Sequence, residues 1–224
     1  MRILFIIVLS INVCTVIGQP FSFPIVKQNG KTITDFIPSN WFLKDSCAGD
    51  LNNDNISDIA FVIEFKDTIE ETRPDSSTNT GSPRILLVCF KNNQTGCFDL
   101  FVQNNTFIYR HGEGGMDPEP YYKIDISNKV LTIYYTFIRG HADYKFRYQN
   151  NDFFLIGAES GGADRDQLDF WDFNFMTKKA KHKWGGMSDE KLNTKWIILP
   201  IKNLKRLREM LIPFYWEILP NVLI

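Results

Sequence analysis

Along the chain, apolar and polar positions alternate over short stretches far more often than apolar residues recur every three or four positions. A period of two is the mark of strands with one buried face. It predicts strands over residues 59–65, 84–90, 98–103 and 106–109, and again over 122–126, 130–137, 145–149, 153–159, 169–174 and 179–184. Between them lie Asn151-Asp152, Gly161-Gly162, Gly114-Gly115 and Ser127-Asn128, residue types that tolerate the backbone geometry of turns. Short strands joined by short turns build meanders. The expected fold class is mainly β, in antiparallel meander sheets of propeller-blade-like or sandwich-like form.

Three stretches depart from the alternation. Residues 68–83 are polar and rich in Ser, Thr, Glu and Pro, and read as a long surface loop. Near the end, Pro200 and Asn203 precede Leu204, Leu207 and Leu211, a stripe at helical spacing stopped by Pro213, so one short C-terminal helix is expected. Its Lys205, Arg206 and Arg208 read as solvated surface. The apolar residues 214–224 are too few to span a membrane and are expected to pack on the sheet or on a partner. A short helix is also expected within 33–43.

The first eighteen residues carry one positive charge at Arg2, an apolar run over residues 3–9, and compact residues at Val16 and Gly18. That is the composition of a secretory signal peptide cleaved before Gln19, leaving a single mainly-β domain over 19–224 with no transmembrane segment. Such a chain is periplasmic or extracellular. The alternative, lipid attachment at Cys14, is disfavoured by the bulk of Val13.

Charge excludes one class of partner. The 25 Lys and Arg against 26 Asp and Glu provide no positive field for a polyanion, so nucleic acid is not expected; without Arg2 the balance is 24 against 26, a net −2. The 19 Phe, 8 Tyr and 5 Trp supply a large core and favour strands. Export would place Cys47, Cys89 and Cys97 in an oxidising compartment, where Cys89 and Cys97 either meet across a hairpin or stay as free thiols. No Cys-x-x-Cys occurs, and His111, His141 and His182 have no zinc-site spacing. Asn55-Ile-Ser57, Asn93-Gln-Thr95 and Asn104-Asn-Thr106 fit the glycosylation pattern.

The sharpest chemical signal lies in Gly49-Asp-Leu-Asn-Asn-Asp-Asn-Ile-Ser-Asp58. Counting from Asp50, oxygen-bearing side chains stand at positions 1, 3, 5 and 9: Asp50, Asn52, Asp54 and Asp58. Calcium takes six to eight oxygens at about 2.3–2.6 Å, and Ile56 at position 7 would add its carbonyl. Asn55 holds position 6, where a sharp bend is needed, and asparagine tolerates the left-handed backbone. Phe61 at position 12, with a strand following, excludes a helix-loop-helix EF-hand.

These residues resemble the DxDxDGxxD loops of FG-GAP and VCBS-type repeats. The chain is also similar to small exported bacterial proteins that carry one such loop, through Gly49-Asp-Leu-Asn-Asn-Asp54, Gly114-Gly-Met-Asp-Pro118 and the stretch 146–157. The resemblance covers about residues 40–200 and implies calcium at Asp50, Asn52, Asp54, Ile56 and Asp58 on a β-rich scaffold. It implies no reaction. Asn52 in place of Asp and Asn55 in place of Gly depart from the pattern and weaken the expected affinity; the alternative is an Asx-rich turn that caps its own backbone.

A second cluster, Asp164, Asp166 and Asp169, contains Arg165 and lacks a further ligand, and reads as a solvated loop. His111, Glu113 and Asp117 share a glycine-rich stretch, and His141 with Asp143 follows a strand pair; converging, they would make an acid/base site. No nucleophile elbow, phosphate loop or dinucleotide fingerprint occurs. The expected function is an exported calcium-binding β domain, structural or interacting with a protein or glycan partner and non-enzymatic. The alternatives are a hydrolase using 111–117 and 141–143, or an inhibitor or immunity-type binding protein.

Overall fold

The structure, a computed structural model, describes residues 21–224. The expected signal peptide and Cys14 lie outside the described residues. The strands are β1 (Asn29–Gly30), β2 (Trp41–Gly49), β3 (Asp58–Phe65), β4 (Ile69–Thr72), β5 (Thr78–Gly81), β6 (Arg84–Lys91), β7 (Phe98–Asn104) and β8 (Tyr121–Ser127). They continue as β9 (Val130–Phe137), β10 (Gly140–Gln149), β11 (Asp152–Asp164), β12 (Gln167–Asn174), β13 (Lys179–Gly186), β14 (Asn193–Ile198), β15 (Glu217–Leu219) and β16 (Val222–Leu223). All pairings are antiparallel. One sheet runs β1-β7-β6-β3-β2; the other is an unbroken, curled meander from β8 to β14. The fold is mainly β, as the alternation requires.

The period of two sorts the side chains of β3 and β6 into two cores. Ala60, Val62, Leu86 and Val88 face the seven-stranded sheet and meet Ile133, Tyr135, Tyr144 and Phe146 there. Ile59, Phe61, Ile63, Ile85, Leu87 and Cys89 face the other way, where Phe21, Phe23, Val26 and Phe36 cover them. A strand buried on both faces reads as a continuous apolar run, which is how 59–63 and 85–89 appear.

The two sheets meet where β2 passes β8. A β-bulge between Leu43 and Asp45 turns the Asp45 carboxylate toward β8, where its Oδ2 accepts the Ile124 N–H at 3.0 Å and the Tyr121 hydroxyl at 2.8 Å. Gly49 abuts Ile126 so closely that a Cβ there would lie 2.5 Å from Ile126 Cγ2.

Several expectations are corrected. The C-terminal helix is absent: only a 3-10 turn, Leu207–Glu209, forms. The segment lies extended beside β11, with Lys205 O accepting the Leu155 N–H and a bridge between Phe154 and Arg206. The Asn104 amide then holds the Leu207 and Met210 carbonyls, taking the groups a helix would have used internally. The helix expected within 33–43 shrinks to the 3-10 turn Ile33–Phe36, ahead of β2. Residues 68–83 contain the β4–β5 hairpin, and 106–109 form no strand although Phe107 and Ile108 are buried.

Gly161-Gly162 is not a turn but lies inside β11. A Cβ on Gly162 would fall 2.5 Å from the Arg139 carbonyl oxygen, so these glycines permit close strand approach. The hairpin instead reverses at Arg165, whose φ is 53°. Asn128, Asn150 and Asn151 do make turns, at φ 51°, 49° and 59°. The C-terminal residues pack as expected: β15 and β16 pair, and Ile218 and Ile224 enter the main core.

Candidate functional site

The 50–58 loop connects β2 to β3, and its neck is the Gly49–Asp58 strand pair. Leu51, 1 % exposed, drops into the main core and anchors the loop from within. Ile59 sits in the second core and Ile56 is half-buried.

Around this anchor the polar side chains bond the loop's own backbone. Asp50 Oδ1 accepts the N–H groups of Asn53 at 2.7 Å and Asp54 at 3.2 Å, and its Oδ2 accepts that of Asn55 at 3.1 Å. Asn52 Oδ1 takes the Asp54 N–H at 3.1 Å, and Asp54 Oδ1 takes the Ile56 N–H at 2.8 Å. The bends occur at Asn53 and Asn55, at φ 69° and 64°, in the left-handed region that asparagine tolerates. The bend expected at Asn55 is present; the one at Asn53 had no separate signal.

Asp58 differs from the other acids. It is fully buried, with Oδ2 accepting Leu51 N–H and Oδ1 accepting Lys91 N–H, both at 2.9 Å. Burial pushes its carboxyl above the usual carboxylate range, while these two N–H groups pull the other way. It therefore ties the loop to β6 as well as closing its neck.

All five expected ligand residues stand on one loop, where the Asp50, Asn52 and Asp54 oxygens accept the loop's own N–H groups, the bonding of the alternative Asx-rich turn. Hard oxygen donors suit calcium. A positive group already lies beside them: Lys129, on the β8–β9 turn, contacts Asn53 Oδ1 and holds its Nζ 3.8 Å from Asp50 Oδ2. Among the described residues, no three His, Cys, Asp or Glu side chains are gathered as a ready-made metal cluster.

The other candidates separate. Asp117 and His141 line one groove of about 540 Å³ together with Gly114, Phe137 and Phe214. His111 and Asp143 are not among its lining residues. Asp143 is instead tied to the Glu159 N–H at 3.1 Å and lies 3.7 Å from Lys145 Nζ. The three described cysteines are free thiols, with Cys89 in the second core opposite Leu100 and Cys97 outside β7. Asn104, in a glycosylation pattern, is buried and fully bonded.

Sequence reasoning missed a buried ionic cluster. Arg84 pairs with Glu119 and Glu64, and Arg73 Nε lies 2.7 Å from Glu113 Oε1. Arg110 contacts Glu71, yet none of its side-chain nitrogens makes a directed hydrogen bond among the described residues. Charged residues scattered over 64–119 carry no spacing that foretells their meeting.

The chain matches no protein-family profile, no curated protein and no solved structure.

Proposed function

We propose that this protein is an exported β domain whose 50–58 loop is organised by calcium, with a structural or interaction role and no reaction of its own. The observation that carries this is the 1, 3, 5 and 9 spacing of Asp50, Asn52, Asp54 and Asp58 on one short loop, whose negative charge already draws the Lys129 ammonium to within 3.8 Å of Asp50. Calcium would neutralise the clustered carboxylates; Asp50, Asn52, Asp54, the Ile56 carbonyl and Asp58 would hold it. Its effect would reach the sheet, because Leu51 and Asp58 tie the loop to the main core and to β6. The FG-GAP and VCBS-like spacing supports the same ion, and the composition of residues 1–18 supports export.

A ligand present at a hundred times its Kd stabilises the folded state by about 2.7 kcal/mol. Calcium added after chelation is expected to raise the melting temperature by a few degrees, and Asp54→Ala to abolish the rise. A wild-type protein with no response, under conditions where the chelated form is folded, overturns the assignment. The hydrolase alternative retains only Asp117 and His141 in a shared groove.

A further inference from the structure

The curled sheet ends differently on its two sides. At β8 the neighbouring sheet intervenes, and Asp45 takes the Ile124 N–H. At β14 nothing does so among the described residues: its only backbone partner is β13.

The register fixes which peptide groups are free. Leu199 N–H donates to Lys178 O at 2.9 Å, and the pairing from Lys179–Ile198 to Lys183–Thr194 runs without a shift. Alternate residues of an antiparallel pair bond inward, so Asn193, Lys195 and Ile197 face β13. Thr194, Trp196 and Ile198 therefore direct N–H and C=O outward. The side chains of these three residues share one face of the sheet, where Trp196 is 64 % and Ile198 79 % exposed.

We propose that β14 pairs with β14 of a second copy, antiparallel about a twofold axis, joining the two curled sheets edge to edge. The strand itself argues for a copy as occupant. A twofold at Trp196 sets Trp196 against Trp196 and Thr194 against Ile198 of the partner, which uses all three outward residues. Lys195, the only charge in the strand, then faces Ile197. Shifting the axis to Lys195 would oppose two ammonium groups directly, and shifting it to Ile197 would leave Thr194 unpaired. The single lysine thus selects the register. Since β8 is covered, the pairing closes at a dimer and cannot propagate.

The test uses the purified protein in sedimentation and light scattering over a concentration series. A monomer–dimer equilibrium is expected, weakened about tenfold or more by Trp196→Lys, with the two proteins melting alike when dilute enough to be monomers. Register is read by mild oxidation. Trp196→Cys should give a covalent dimer well above the wild-type background from native thiols, and Ile197→Cys should not. A wild-type monomer up to about 1 mM, an open-ended polymer, a dimer indifferent to Trp196→Lys, or cross-linking through position 197 in preference to 196 each overturns the proposal.

Discussion

The Tyr121 hydroxyl and the Ile124 N–H converge on one oxygen, Asp45 Oδ2, and thereby stitch the second sheet to the first at the bulge in β2. Both donors belong to buried residues. Asp45→Ala leaves them unanswered and is expected to cost about 2–3 kcal/mol, against about 1 kcal/mol for Tyr121→Phe, which removes one donor together with its need. Denaturant melts of the two variants check the order; equal losses would contradict it.

Asp58 and Asp54 should separate structure from ion binding. Asp58→Ala strands the Leu51 and Lys91 N–H groups and is expected to lower stability by about 2–3 kcal/mol even in chelator. Asp54 is exposed and bonds only within the loop, so Asp54→Ala should leave the chelated protein nearly unchanged and remove only the calcium response. Melting curves with and without calcium distinguish the two.

Arg110 carries a buried guanidinium that pairs only with Glu71 among the described residues. Burial pushes its pKa down, the neighbouring Arg73 pushes the same way, and Glu71 opposes both. Replacing such a group by an apolar side chain of similar length is often neutral or stabilising. Arg110→Met is expected to match or exceed wild-type stability, while Glu71→Ala, which leaves the Arg110 guanidinium without a carboxylate although Arg73 keeps Glu113, should destabilise clearly. A large loss in Arg110→Met, measured by chemical denaturation, would show that the ion pair outweighs its desolvation.

The buried phenols set the alkaline limit. Burial raises the pKa of Tyr121, Tyr135 and Tyr144 well above the ordinary value, and burial with the charge of Glu113 pushes Tyr109 up to about 12. A folded pKa above the unfolded value of about 10 leaves stability intact below that pH. Above it only the unfolded chain ionises readily, so stability falls as pH rises. Phenolate absorbance should show these four ionising only as the protein unfolds.

Asn104 links sequence-distant parts through four hydrogen bonds, two of them to Leu207 and Met210. Asn104→Ala is expected to cost about 3 kcal/mol and to open the C-terminal segment to protease before the sheets. In a glycosylating host Asn104 should remain unmodified, which mass spectrometry of the Asn104 peptide reads directly.

Elements with a local cause were legible along the chain. Alternation placed β6, β9 and β12 to within a residue or two, Ser127-Asn128 and Asn151-Asp152 placed turns, and the spacing of Asp50, Asn52, Asp54 and Asp58 placed them on one loop, because each depends on neighbours a few bonds away. Features that depend on partners far along the chain emerged once the sheets had packed. The 204–211 stripe has helical spacing, yet Asn104 and Leu155 draw its backbone into extended form. Gly161-Gly162 looks like a turn until the Arg139 carbonyl is seen where a Cβ would stand. Leu51 and Asp58 anchor the loop through the core and through Lys91, 33 residues beyond Asp58. A residue's local preference amounts to a fraction of a kcal/mol, whereas a buried, unmet hydrogen bond or a steric overlap costs more, so the backbone follows its distant partners wherever the two conflict.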